Sequence, residues 1–155
     1  MGLMHLQFQF SSPTEEPSNS FIQAAEDHLT ELYGAPDSAL PREAFLPPEG
    51  GFLIGWEHGV PIAGGGFTRH DSITAEIRRM YVVPHERGRG VARLLLIAIE
   101  SAVRAAGYSR VILDTGPKQP HAEALYRSAG YVDIANFRKG KSRASFWGEK
   151  ILGQT

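Results

Sequence analysis

The chain has 155 residues, 42% of them hydrophobic and 21% charged, which suits one domain, residues 1–155, with a core of its own. A net charge of −1 gives the molecule as a whole no electrostatic reason to seek nucleic acid or an anionic membrane. The absence of cysteine excludes disulfides, thiolate metal sites and a cysteine nucleophile.

The opening MGLMHLQFQF lacks the basic segment and apolar block of a signal peptide. No apolar run approaches the roughly 18 residues that span a membrane. A cytoplasmic protein is expected. HLQFQF (5–10) alternates apolar and polar residues and predicts a strand. Ser12 and Glu15 stand at capping-box spacing ahead of a helical repeat, Ile22, Ala25, Leu29, Leu32 and Tyr33, which Gly34 closes. Four prolines mark 35–51 as a loop. GFLIGW (51–56) and PIAGGGF (61–67) predict two strands joined around His58-Gly59. The triple glycine 64–66 suggests a bulge or a close backbone approach.

EIRRMYVV (76–83) predicts a strand that Pro84 ends. Residues 89–106 predict a helix apolar almost all round, with Arg93, Glu100 and Arg104 on its one polar stripe and Gly107 after it. RVILDTG (110–116) has the continuous apolar run of a buried strand. Residues 119–129 predict a short helix with Pro120 in its first turn. YVDIA (131–135) and SFWGEKIL (145–152) predict two last strands around a basic loop. Its run Arg138, Lys139, Lys141, Arg143 reads as an exposed hairpin tip or, alternatively, as a lure for an acidic substrate. The order is β-α-β-β-β-α-β-α-β-β, whose middle requires a partly parallel sheet with covered faces.

Between strand and helix lies VVPHERGRGVARLLL (82–96). Cations at a helix start oppose the helix dipole. A glycine-containing turn there presents free backbone N–H groups to an anion, and an anion would account for Arg87, Arg89 and Arg93. The Walker pattern needs Gly-Lys-Ser/Thr where Gly90-Val91-Ala92 stands, and the dinucleotide fingerprint needs a third glycine where Arg93 stands. ATP, GTP and NAD are therefore poor candidates.

Arg87-Gly88-Arg89-Gly90-Val91-Ala92 fits Arg/Gln-x-x-Gly-x-Gly/Ala and resembles the acyl-CoA site of the GNAT superfamily, the acetyl-CoA-dependent N-acetyltransferases. Gln119-x-x-Ala122-x-x-Leu125-Tyr126-x-x-x-Gly130-Tyr131 resembles the superfamily's second signature, with Gln for Asn and Tyr for Phe. The resemblance is strongest from Glu76 to Tyr131. It implies an α/β (α+β) fold: a mixed, mostly antiparallel sheet of six to seven strands, splayed between two central parallel strands, 76–83 and 110–116, with flanking helices.

It further implies acetyl-CoA as co-substrate and no metal. Main-chain groups of Met80, Tyr81 and Val82 would bond the pantetheine arm. The N–H groups of Gly88 to Ala92, including Val91, would hold the pyrophosphate, with charge from Arg87, Arg89 and Arg93. Gln119, which opens the second signature, would join the cofactor-binding residues. Tyr126 resembles the acid that protonates the leaving thiolate, although its stripe with Ala122, Leu125 and Ala129 also suits a core tyrosine. Glu76 or Asp114 would be the base. Glu76 could instead pair with Arg78 or Arg79, and Asp114 could cap the loop at Thr115-Gly116. Period-two alternation puts Glu76, Arg78 and Met80 on one face.

The expected activity is N-acetylation of a small primary amine by direct attack in a ternary complex. The alternatives are a protein or peptide acceptor, or a non-catalytic acyl-CoA sensor. Dimerisation through the terminal strands, common in similar proteins, is compatible. The six histidines lack metal-ligand spacing. Nucleic-acid binding has only the arginine cluster in its favour and lacks an exposed basic helix.

Overall fold

The computed structural model describes residues 5–153. In chain order they form β1 (Leu6–Phe10), α1 (Ser18–Tyr33), β2 (Gly51–Glu57), β3 (Val60–Arg69), β4 (Thr74–Val82), α2 (Val91–Ala105), β5 (Arg110–Thr115), α3 (Pro120–Ser128), β6 (Val132–Asp133) and β7 (Phe146–Ile151). The order and type of these elements match the expectation. One sheet of seven strands runs β1-β2-β3-β4-β5-β7-β6. Every neighbouring pair is antiparallel except β4 and β5.

Two apolar clusters sandwich the sheet. On one face Val91, Leu95, Leu96, Ile99 and Val103 of α2 pack on Leu53, Phe67, Ile77 and Val111. On the other, Phe21 and Ile22 of α1 meet Phe45, Phe52 and Ile54. Each large side chain buried in this way contributes about 1.5–3 kcal/mol. Gly34 closes α1 as expected, with φ 76° and its N–H on Thr30 O at 2.8 Å.

Three local expectations are corrected. Helix α1 has no capping box at Ser12 and Glu15. It starts at Ser18, and the Glu16 carboxylate accepts the Ser20 N–H at 3.0 Å instead. The strand expected at 131–135 shrinks to Val132–Asp133, because the Tyr131 N–H is still bonded to Tyr126 O at the end of α3. Glu100 is not on a solvated stripe. It is 7% exposed, accepts from Tyr131 Oη at 2.6 Å, and pairs with Lys150 at 3.0 Å.

The triple glycine lies opposite a bulge in β4. Gly64 pairs with Tyr81 and Gly66 with Arg78, so Gly65 faces two residues, Arg79 and Met80. Arg79 takes φ 60°, a left-handed conformation rare for a long side chain. The glycines allow close packing there: a Cβ on Gly66 would lie 2.4 Å from Gly51 O. The bulge also breaks the expected alternation. Arg78 and Arg79 both reach Asp37, beyond α1, while Met80 packs with the α2 cluster.

β4 and β5 pair only at Thr74↔Arg110, Ala75↔Val111 and Glu76↔Ile112. Beyond Glu76 they part, and β5 continues with β7 as far as Thr115↔Phe146. This is the splay that the resemblance implied.

Candidate active site

The parting strands open a cleft of about 540 Å³. Its walls are Ile77 to Met80 on β4, Asp114 to Gly116 after the splay, the C-terminal half of α1, Tyr126 on α3 and the segment 138–144.

The turn into α2 follows the free end of β4. Gly88 and Gly90 take φ 81° and 85°, and a Cβ on either would meet nothing within 4 Å. Gly90 caps α2 without a side-chain bond, and the first helical bond runs from Leu94 N to Gly90 O at 3.3 Å. Among the described residues, the N–H groups of Gly88 to Arg93 donate to no backbone carbonyl. Free donors at a helix start, on a backbone without side chains, fit an anionic group.

The three arginines of this turn differ. Arg87 Nε donates to Val82 O at 2.8 Å, and its guanidinium lies 5.2 Å from the Tyr81 ring centre. The Val83 N–H turns to β3, bonding Ile62 O at 2.9 Å, so the Val82 groups face the edge that β5 has left. Arg89 is held by Glu57 at 2.8 Å and Glu86 at 2.5 Å, and these bonds push its pKa up. Arg93 reaches Ser128 Oγ at 2.7 Å. The arginines at the helix start are therefore partly matched by protein groups already.

Tyr126 is 9% exposed and packs in the α2 cluster while lining the cleft. Its hydroxyl has only the Met80 sulfur nearby, at 3.9 Å. Burial, helped by the Asp114 charge, pushes the phenol up to about 12. It stays protonated at neutral pH, a donor in the wall of the cleft.

Glu76 and Asp114 come together on one partner that the sequence reading placed at a hairpin tip. Arg138 Nε donates to Asp114 Oδ2 at 2.7 Å, and Nη2 bonds both Asp114 Oδ1, at 3.1 Å, and Glu76 Oε2. Burial opposes the charge on Arg138, but the two carboxylates outweigh it and hold its pKa above the usual value. Glu76 also lies 3.4 Å from Arg78 Nε. Asp114 therefore does not cap its loop. Gln119 does, accepting from Gly116 N at 3.3 Å and from Tyr33 Oη at 3.1 Å.

Tyr33, Asp37, Arg79 and Arg143 also shape the cleft. Tyr33 Oη accepts the Lys118 N–H at 3.2 Å, and Arg143 stacks over its ring at 4.8 Å. Arg79, with a side chain 2% exposed, joins Asp37 at 2.8 Å and Glu26 at 3.2 Å. No sequence motif marks these residues, since their partners come from segments 40 to 110 positions away. His70 stacks edge-on against Phe137 at 5.8 Å and His85 is exposed. Among the described residues, no three His, Asp or Glu side chains form a metal cluster, and no helix is long and apolar enough to cross a membrane.

Residues 15–131 match the profile of the acetyltransferase (GNAT) family. An IAA acetyltransferase of Azospirillum brasilense is 32% identical over 144 residues, 91% of this chain and 94% of that protein. A Klebsiella pneumoniae structure, named for the acyl-CoA N-acyltransferases, superposes with a TM-score of 0.78 at 25% identity, covering 96% of this chain and 98% of its own. An acetyltransferase structure from Streptococcus agalactiae has the same fold, with a TM-score of 0.75 at 18% identity, over 96% of this chain and 99% of its own.

Proposed function

The chain belongs to the acetyltransferase (GNAT) family and is an acyltransferase, and we propose that it moves an acetyl group from acetyl-CoA to a primary amine of a small molecule by direct attack in a ternary complex. The observation that carries this reading is the cleft itself. The strands part at Glu76, the opening is lined by the β4 edge and a buried phenol, and the chain leaves β4 for a helix start whose donors are free.

Acetyl-CoA supplies the thioester. The N–H groups from Gly88 to Ala92 would hold its pyrophosphate, with Arg87 and Arg93 adding charge. Arg89, already matched by Glu57 and Glu86, would brace the turn. Main-chain groups of Met80 and Val82, on the edge without a strand partner, would bond the pantetheine arm. The Met80 N–H would donate to the developing oxyanion.

Tyr126 would give its proton to the leaving thiolate. A phenol raised to about 12 is an ineffective acid in water, but next to a thiolate in a closed site it donates as charge develops. Glu76 and Asp114 are the candidates to take the proton of the attacking amine through water. For that step a carboxylate oxygen would have to be released from its bond to Arg138. Gln119, which also lines the cleft, braces the loop and Tyr33.

The test is thiol release from acetyl-CoA with a panel of amines, comparing wild type with Tyr126→Phe. The expected result is a loss of about a hundredfold in kcat with the acetyl-CoA KM held, because the hydroxyl bonds only a sulfur. An unchanged kcat would remove Tyr126 from the chemistry. Failure of acetyl-CoA to raise the melting temperature would overturn the acyl-CoA site.

A further inference from the structure

Three guanidiniums converge on the Asp37 carboxylate in the wall of the cleft. Arg79 is at 2.8 Å, Arg143 at 3.6 Å and Arg78 at 3.9 Å. Only Arg79 is well matched, with Glu26 as its second anion. The side chain of Arg78 is 9% exposed, and its other anion, Glu76, is bonded more closely by Arg138. Burial pushes the pKa of Arg78 down despite those neighbours. Arg143 bonds Ala35 O at 2.7 Å, but its Nη2 is buried without a hydrogen-bond partner.

The charges around the cleft do not balance. Arg78, Arg79, Arg138, Lys141 and Arg143 supply five cations. Glu26, Asp37, Glu76 and Asp114 supply four carboxylates in contact with the four arginines, and Glu26 is shared with Arg42 as well. Lys141 stands at the cleft wall, outside every ion pair among the described residues. A buried guanidinium short of anionic partners is costly, and a ligand carboxylate relieves that cost with charge-assisted, often bidentate bonds. A polyamine would add positive charge to a cleft that already has an excess.

Resting on the acetyltransferase reading above, we propose that the acceptor is a primary amine that also carries a carboxylate, as an α-amino acid does, with Arg78 and Arg143 holding the carboxylate beside Asp37. The segment 138–144 is then a specificity element rather than an exposed hairpin tip. Arg143 and Lys141 draw the anion in and Arg138 fixes the wall. The amine is left for the thioester at the β4 edge.

The test measures thiol release from acetyl-CoA with glycine, L-phenylalanine and L-glutamate, each beside its carboxamide counterpart, and with 1,4-diaminobutane. The acids should exceed their amides by about tenfold or more in kcat/KM, with the difference lying in KM. Arg143→Gln and Arg78→Gln should each bring that ratio toward one, and Arg143→Lys should restore part of it. Arg143 is the more exposed of the two, so its variants keep the test open if Arg78→Gln fails to fold.

Equal or better turnover of amides or diamine overturns the carboxylate subsite and leaves the acetyltransferase standing. A preference that survives both substitutions also overturns it. If nothing turns over, the same acids and amides are compared by thermal melting with CoA present. A rise confined to the acids and lost in Arg143→Gln supports the subsite and counts against the reaction. No rise overturns the subsite. A protein that acetyl-CoA itself does not stabilise fails the acetyltransferase reading instead.

Discussion

The turn into α2 and the cleft wall at 138–144 are built from different donors. The turn at 87–93 offers backbone N–H groups, freed by two left-handed glycines and a helix start. The segment at 138–144 offers guanidiniums, each fixed by partners distant in the chain: Arg138 by Glu76 and Asp114, Arg143 by Ala35, Asp37 and Tyr33. Backbone donors depend on local conformation and tolerate changes of side chain. Side-chain donors depend on which segments the fold brings together, and one substitution removes them. A group shared by every substrate of the class, such as pyrophosphate, suits the first kind. An acceptor that varies between relatives suits the second.

The largest effect expected from breaking this contrast is at Arg138. Arg138→Ala would leave Glu76, whose side chain is 8% exposed, and Asp114 facing each other without their shared cation. A loss of about 3 kcal/mol in unfolding free energy is expected by urea denaturation. Adding Glu76→Gln should recover part of it. Full stability in Arg138→Ala would mean that the ion-pair cluster does not organise this wall.

A smaller effect is expected at the backbone turn. Gly90→Ala places a Cβ at φ 85° with nothing to strike, costing about 1 kcal/mol of stability. It also sets a methyl against the donors, so the acetyl-CoA Kd should rise about tenfold by calorimetry, well beyond the stability cost. An unchanged Kd would take the pyrophosphate away from this turn. Arg89→Ala should weaken acetyl-CoA less than Arg93→Ala, since Arg89 is already matched by two carboxylates.

The smallest effect concerns pH. The native Tyr126 phenol sits at about 12, above the unfolded value of about 10. Its contribution is therefore fully present below pH 10 and is lost as pH rises toward 12. Melting temperature should fall across that window less steeply in Tyr126→Phe than in wild type. Identical slopes would mean that the phenol is not held neutral by its surroundings.

By itself, the sequence determined the order of elements, the glycine turn and the phenol of the second signature. These are local facts. A period of two or 3.6 marks strands and helices, a glycine pair fixes left-handed turns, and a helix start frees its own donors wherever it lies. The triple glycine announced a close approach in the same local way, but its consequence lay on the neighbouring strand. The bulge at Arg79 turned two arginines toward Asp37 and sent Met80 to the other face, which period-two counting along β4 could not reveal. Glu76 and Asp114 were legible as carboxylates near the splay, but Arg138 between them was not, because 24 and 62 positions separate it from its partners. Only the tertiary structure decided where such charges go. Ion pairs and buried hydrogen bonds follow distance in space, and no spacing along the chain encodes them.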